Sequence, residues 1–254
     1  MRRAYLQCRA SVLRMKLEFR EKPRDPEPVP GDDTQALVSM GNYIFNAQAL
    51  TDAIERDALD ETSTHDMGGD IIPYFVEQGT AGAYDFTFNE IPGATERDRS
   101  YWRDVGTIDS YYDAHMDLIS TMPIFNLYND EWPVFNQQIN MAPAKFIHDS
   151  EGNQGRTNDS IVSLGVVVSG SVIERSVLSP NVRVFSRSLV TDSVILDNVE
   201  IGRDCTIRKA ILDKDVAVAD GASIGVNRER DIERGFTVTD SGITVVTKGL
   251  LVKP

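Results

Sequence analysis

The chain has 254 residues, enough for one large domain or two modest ones, and its 41% hydrophobic content is that of a globular protein. A formal charge of −13 argues against a non-specific nucleic-acid binder, which needs a basic face, but leaves room for anionic small molecules held by a few local cations. No apolar run reaches bilayer length, residues 1–14 lack the apolar stretch of a signal peptide, and two cysteines, Cys8 and Cys205, make a reduced cytoplasmic setting the default.

In chain order, Met15 to Phe19 reads as a short strand ending at Arg20-Glu21-Lys22-Pro23, and residues 23–33, rich in Pro and Asp, read as a solvated loop. Ser39 to Phe45 is a second strand. Asn46 is expected to cap a helix over Ala47 to Leu59, with Leu50 and Ile54 on its apolar face. Asp70 to Val76 predicts a short helix and Ala83 to Phe88 a strand. Thr107 is the expected N-cap of a helix running to Ser120, with Asp109 in its first turn and Ile108, Tyr112 and Ile119 on one face. This alternation of strand and helix patterns reads as α/β. From Thr121 to Lys145 the pattern is irregular and contains Pro123, Pro133 and Pro143, which places a domain boundary near residue 145.

Beyond that boundary a repeat of 17 residues appears. Aligning Asn181, Asn198 and Asp215 brings three apolar columns into phase: Val177, Val194 and Ile211; Val182, Val199 and Val216; Val184, Ile201 and Val218. Recurrence of this kind predicts stacked coils that bury their apolar sides against one another, here a left-handed parallel β-helix over about Ile161 to Ile224. A β-sandwich offers strands at similar spacing, but nothing obliges it to keep columns in phase. The tail from Phe236 to Val252 returns to β-type residues.

Lys22 follows a strand and precedes a rigid turn, where it can meet a phosphate as a point charge; a solvated lysine is the alternative. In Tyr101-Trp102-Arg103-Asp104-Val105-Gly106-Thr107 the acid lies between an aromatic pair and a helix start. Asp104 there can bind a divalent metal in phosphoryl transfer, against the plainer alternative of a helix cap or an Arg103 ion pair. Asp66, before Gly68-Gly69, can accept bonds from sugar hydroxyls or merely cap the helix that follows. His65, His115 and His148 are too far apart in sequence to read as a metal set. The chain has no G-x-x-x-x-G-K-[ST] loop, and no histidine in the coils to act as the general base of a β-helix acyltransferase.

Taken together, these segments resemble bacterial glucose-1-phosphate adenylyltransferase, also called ADP-glucose pyrophosphorylase. The likeness is carried, in order, by Glu18-Phe19-Arg20-Glu21-Lys22-Pro23, Ser39-Met40-Gly41-Asn42-Tyr43-Ile44-Phe45, His65-Asp66-Met67-Gly68-Gly69-Asp70-Ile71-Ile72-Pro73 and the Tyr101–Thr107 run, then by Pro143-Ala144-Lys145-Phe146 and the coils. The resemblance implies a partial Rossmann-like nucleotidyltransferase domain, residues 1–145 with 1–14 unmatched, followed by a left-handed β-helix over 146–254. It implies the reaction of ATP with glucose 1-phosphate to give ADP-glucose and diphosphate in glycogen biosynthesis. By the same resemblance, Lys22 contacts the sugar phosphate with Glu21 beside it. Ser39, Tyr43, Asp66 and Trp102 line the glucose pocket, and Asp104 is one of two aspartates that hold Mg²⁺. A homo-oligomer, tetrameric in the family, and an allosteric sugar-phosphate effector at Lys214 and Lys248 are also implied.

The chain departs from the family pattern at its start. It lacks the G-G-x-G-x-R-L loop that wraps the nucleotide phosphates and the second metal-binding aspartate, both of which lie upstream of the lysine motif in the family. The expectation is that residues 1–254 alone lack adenylyltransferase activity. The family more often carries Phe and Lys at the positions of Met67 and Gly69. The competing readings are a non-catalytic regulatory or assembly subunit and a related sugar-nucleotide pyrophosphorylase.

Overall fold

The computed structural model describes residues 2–6, 19–21, 23–29, 32–135 and 140–254, which form two compact units, Met1–Pro92 and Gly93–Pro254. The strand expected before Phe19 and the predicted site residue Lys22 lie outside the described residues.

In the first unit, β1 (Arg2–Leu6), β2 (Pro28–Val29), β3 (Asp32–Tyr43) and β4 (Tyr84–Asp85) form a mixed sheet in the order β2-β3-β1-β4. β1 and β3 run parallel, and the two outer pairs are antiparallel. β3 starts earlier than its apolar pattern implies because β2 folds back on it, pairing Pro28 with Ala36 and Val29 with Asp32. The segment read as a loop thus contributes an edge strand, where proline is tolerated because its missing N–H faces away from the ladder. Helix α1 (Ala47–Asp57) starts where expected, with Asn46 accepting from the Ala49 N–H at 3.2 Å. Its buried residue is Ala53, while Ile54 is 47% exposed, so the buried face is turned by one position from the Leu50–Ile54 expectation. Met67–Ile71 forms one wide turn that continues into α2 (Ile72–Glu77), with Pro73 in the first turn, where a missing N–H breaks no helical bond. The strand expected over Ala83 to Phe88 is extended only at β4. There the Asp85 carboxylate accepts from the Thr87 N–H and hydroxyl and winds Phe86–Phe88 into a 3₁₀ turn.

The second unit holds α3 (Ile108–Leu118) and a solenoid of three sheets whose stacked coil strands are parallel, the first sheet being edged by one antiparallel strand, Thr237–Val238. One sheet stacks Ile161–Val162, Val177–Leu178, Val194–Ile195, Ala210–Leu212 and Thr244–Val246. A second stacks Lys145–Ile147, Val167–Ser169, Arg183–Val184, Glu200–Ile201, Ala217–Val218 and Leu251–Val252, and the third runs from Arg156–Asn158 to Ser223–Ile224. Pairing follows the predicted columns, with Val177 opposite Val194 opposite Ile211, and Val184 opposite Ile201 opposite Val218. Parallel pairing throughout the coils separates this fold from a sandwich. The coils extend beyond the expected Ile161–Ile224 at both ends. An insertion carrying α4 (Arg228–Glu233) takes the place of one coil, so Ile211 pairs with Val245 and Val218 with Val252, two repeat lengths on rather than one; the missing intermediate coil is why the tail had no visible place in the repeat. The packing boundary at Pro92/Gly93 is also distinct from the change of pattern near residue 145, because α3 and the connector pack in the same unit as the coils.

The coils turn at residues in the left-handed region: Asn181, Asn198 and Asp215 have φ of 63°, 61° and 62°. Their side chains form a ladder, Asn181 Nδ2 to Asn198 Oδ1 at 3.0 Å and Asn198 Nδ2 to Asp215 Oδ1 at 2.9 Å. Two further columns hide inside the corners. The Ser188 N–H donates to Ser171 Oγ and the Cys205 N–H to Ser188 Oγ, each at 2.9 Å. Ser176, Ser193 and Ala210 likewise donate to the hydroxyls of Ser160, Ser176 and Ser193. Each hydroxyl thus satisfies a backbone donor that a corner would leave buried and unpaired.

The Val182 and Val184 columns line the solenoid interior. The Val177 column does not: Val194 and Ile211 point outward and are covered by α3 through Tyr112, with Ile108, Tyr111 and Met116 around it. Burying each such apolar side chain is worth about 1.5–3 kcal/mol. At the corners, Asn198→Ala is expected to lower stability by about 1–2 kcal/mol, since only Gly, Asn and Asp take this backbone readily, and Asn198→Gly by less. Urea unfolding of the two variants measures the difference.

Candidate functional site

In the first unit the end of β3 brings two predicted residues together. Residues four apart on a straight strand are about 13 Å apart along its axis. Gly41, at φ 69°, bends the strand, and Ser39 Oγ lies 2.8 Å from Tyr43 Oη while also accepting the Gly41 N–H. Glycine takes this backbone without strain.

A second group forms ahead of α2. Asp66 caps the wide turn, its Oδ2 accepting the Gly69 N–H at 2.7 Å, as the plainer of its two readings required. Asp70 reaches back to the Asp66 N–H at 2.9 Å and the Thr64 hydroxyl at 2.7 Å. These bonds, that of the Asp66 amide first, hold the Asp70 carboxyl below the usual carboxylate range. His65, at φ 57°, places Nδ1 2.9 Å from Asp57 Oδ2. Gly68 is enclosed by acids: a Cβ there would stand 2.6 Å from Glu21 Oε2 and 3.3 Å from Asp66 Oδ2. Glu21 and Asp66, from two motifs distant in sequence, therefore flank one glycine. That proximity has no single-sequence signal beyond the Gly68-Gly69 pair itself.

In the second unit the Tyr101–Thr107 run leads into α3. The Tyr101 ring lies 5.2 Å from that of Phe125, and Trp102 is half-buried. Thr107 and Ser110 form a reciprocal capping box, and Arg103 reaches Asp113 at 3.9 Å. Both plain roles, cap and ion-pair partner, are therefore filled by Thr107 and Asp113. Asp104 is exposed, and its Oδ1 accepts the Gly106 N–H at 2.9 Å, which fixes the carboxylate on a tight turn. Among the described residues no three His, Cys, Asp or Glu side chains gather as a metal set. A lone fixed carboxylate suits a hard cation that takes its other ligands from phosphate and water. His115 Nδ1 is engaged with the Tyr111 carbonyl at 2.9 Å.

Lys214 and Lys248 occupy one corner of adjacent coils, joined by the Gly249 N–H to the Lys214 carbonyl, and pair with Asp197 at 3.7 Å and Asp215 at 3.8 Å. These exposed pairs contribute little to stability. A separate cleft of about 470 Å³ lies between the C-terminal end of α3, the connector and Asp159–Ile161, and contains none of the predicted site residues. No helix among the described residues is long and apolar enough to cross a membrane.

Residues 14–121 match the nucleotidyl transferase family and residues 142–246 the GlmU-like C-terminal hexapeptide family. Similar curated proteins include the glucose-1-phosphate adenylyltransferase of Leifsonia xyli subsp. xyli, 59% identical over 93% of this chain and 57% of its own length. Those of Parafrankia sp. and Arthrobacter sp. are 54% and 58% identical over 92% of this chain and over 57% and 50% of their own lengths. The chain thus spans between half and three-fifths of the length of these relatives.

Two outcomes follow from the Asp66 turn. Asp70 should titrate by NMR with a midpoint below 3.8, and Thr64→Val should raise it. Because the folded carboxyl is the stronger acid, the turn is fully supported above that pH and loosens as the pH falls through the folded value. Gly68→Ala should leave stability within about 1 kcal/mol, since the atom displaced is the end of a flexible side chain, yet drive Glu21 away; thermal unfolding and Glu21 side-chain shifts read the two effects.

Proposed function

For a chain homologous to the glucose-1-phosphate adenylyltransferases, built of a nucleotidyl transferase part followed by a hexapeptide solenoid, we propose that it carries the sugar-phosphate half of such a site. The reaction is ATP plus glucose 1-phosphate giving ADP-glucose and diphosphate. The observation that carries this reading is Asp104: an exposed carboxylate locked on a turn, with the plain roles around it taken by Thr107 and Asp113.

In this reading a phosphate oxygen of glucose 1-phosphate attacks the α-phosphorus of ATP in line. A new P–O bond forms as the bond to the β-phosphate oxygen breaks and diphosphate leaves. The attacking group is the sugar phosphate itself, so the chain supplies positioning and charge rather than a nucleophile. Lys22 holds the sugar phosphate, with Glu21 beside it. Ser39 and Tyr43, joined by their hydroxyls, and Asp66 present donors and acceptors to the sugar hydroxyls, and Trp102 offers an apolar face to the ring. The divalent cation, which we take to be Mg²⁺, neutralises charge on the phosphates when bound, and Asp104 supplies one of its oxygen ligands. The nucleotide-phosphate loop is not in this sequence, so binding of the sugar phosphate is expected without turnover. Assembly into a homo-oligomer, and an anionic effector at Lys214 and Lys248, belong to the same reading.

Calorimetry with glucose 1-phosphate tests it. Binding is expected in the 254-residue chain, weakened about tenfold or more by Lys22→Ala, the loss expected when a charge-assisted contact is removed. A chain that binds no glucose 1-phosphate, or binds it equally well without Lys22, overturns the proposal. A coupled assay should detect no diphosphate release from the same preparation.

A further inference from the structure

The carboxylate proposed to meet the metal sits just ahead of α3, a helix whose apolar face packs on the solenoid. We propose that Tyr112 is a positioning residue for Asp104: it fastens α3 to the outer face of the coils and so holds the Trp102–Thr107 segment in place. This rests on reading Asp104 as the site carboxylate.

Rigidity can be followed residue by residue. The Asp104 side chain is bonded to the Gly106 N–H, Thr107 and Ser110 close the capping box, and Arg103 reaches Asp113 one turn further on. The segment therefore moves with the first turns of α3. Tyr112 is 6% exposed and packs with Val194, Ile211 and Ile243. Its hydroxyl donates to the Asp192 carbonyl at 2.7 Å. That carbonyl is itself fixed, since Asp192 turns a coil corner at φ 49° and its carboxylate takes two bonds from Arg175, at 2.7 and 2.8 Å. At the helix start, Asp109 accepts a hydrogen bond from the Ser241 hydroxyl, in the turn that leads into Thr244–Val246. Burial raises the Tyr112 phenol to about 12, so it remains a donor at any working pH. Along the helix, Ile108 to Tyr112 spans about 6 Å, and the capped Asp104–Thr107 turn follows directly ahead of it, close enough for a rocking motion at Tyr112 to shift the carboxylate.

The test uses the 254-residue chain with Trp132→Phe, which leaves Trp102 as its only tryptophan. Tyr112→Phe keeps the ring and removes only the hydroxyl. It should speed amide exchange over residues 101–111 by about fivefold, the weight of one neutral hydrogen bond. Trp102 should become more accessible to acrylamide, while exchange in the coil strands Leu189–Thr191 and Thr206–Arg208 stays unchanged. Ile211→Val, a change on the solenoid alone, should loosen the same segment. Unchanged exchange over 101–111 in both variants, or acceleration spread evenly over the coils, overturns the proposal. Neither readout needs a substrate. Selective loosening in a chain that binds no glucose 1-phosphate would sink the functional reading and leave the positioning role standing.

Discussion

In a parallel solenoid every strand must set its N–H and C=O groups opposite those of the coils before and after it, so every coil must turn its corners at equivalent residues. Here that condition is met by left-handed corners spaced 17 residues apart, as at Asn181, Asn198 and Asp215, and by side chains that bond to their own counterparts in the next coil. The serine columns do the same inside. A hydroxyl from one coil takes the backbone N–H of the next, and Cys205 continues a column as a small buried group whose thiol faces the Ala219 carbonyl. The flat, regular faces that support the rest of the second unit follow from this phase.

One of those faces is apolar on the outside. β-Branched residues pointing into water at Val194 and Ile211 would form a sticky stripe, and α3 removes it by laying Ile108, Tyr111, Tyr112 and Met116 across it. The solenoid thereby acts as a footing for the loop that precedes the helix. Three acids close in sequence are sorted by this arrangement. Asp113 balances Arg103, Asp109 bonds to Ser241 ahead of the last coil, and Asp104 is held exposed on a fixed turn with neither of those partners.

The coils were legible because a repeat is tested against itself: Val184, Ile201 and Val218 identify their own register without any external reference. The N-caps Asn46 and Thr107 were legible because capping is a contact within one turn. Other features depended on partners that a single sequence does not reveal. Period-2 alternation states that Val194 and Ile195 face opposite ways, but not that a helix covers the outer one. The early start of β3 depended on β2 folding back, and the tail, though in phase with the repeat, was separated from it by α4 standing where one coil would be. At the candidate site, residue types were readable from their motifs. The approach of Glu21 to Gly68 and the bend at Gly41 were not, because both arise from backbone geometry rather than side-chain pattern.

The insertion between Ile224 and the final coil also bears on how such a chain can change length. α4 leaves the stack and returns to it with Ala210–Leu212 paired directly to Thr244–Val246. Asp231 seals the excursion by accepting the Gly225 N–H and the Thr244 hydroxyl. A detour at a corner thus leaves the ladder intact whatever its length. The loss of one residue within a strand would instead exchange the inner and outer faces from that point onward. Lineages of this solenoid can therefore gain or shed whole coils, or grow at their corners, while the strands themselves are confined to substitution.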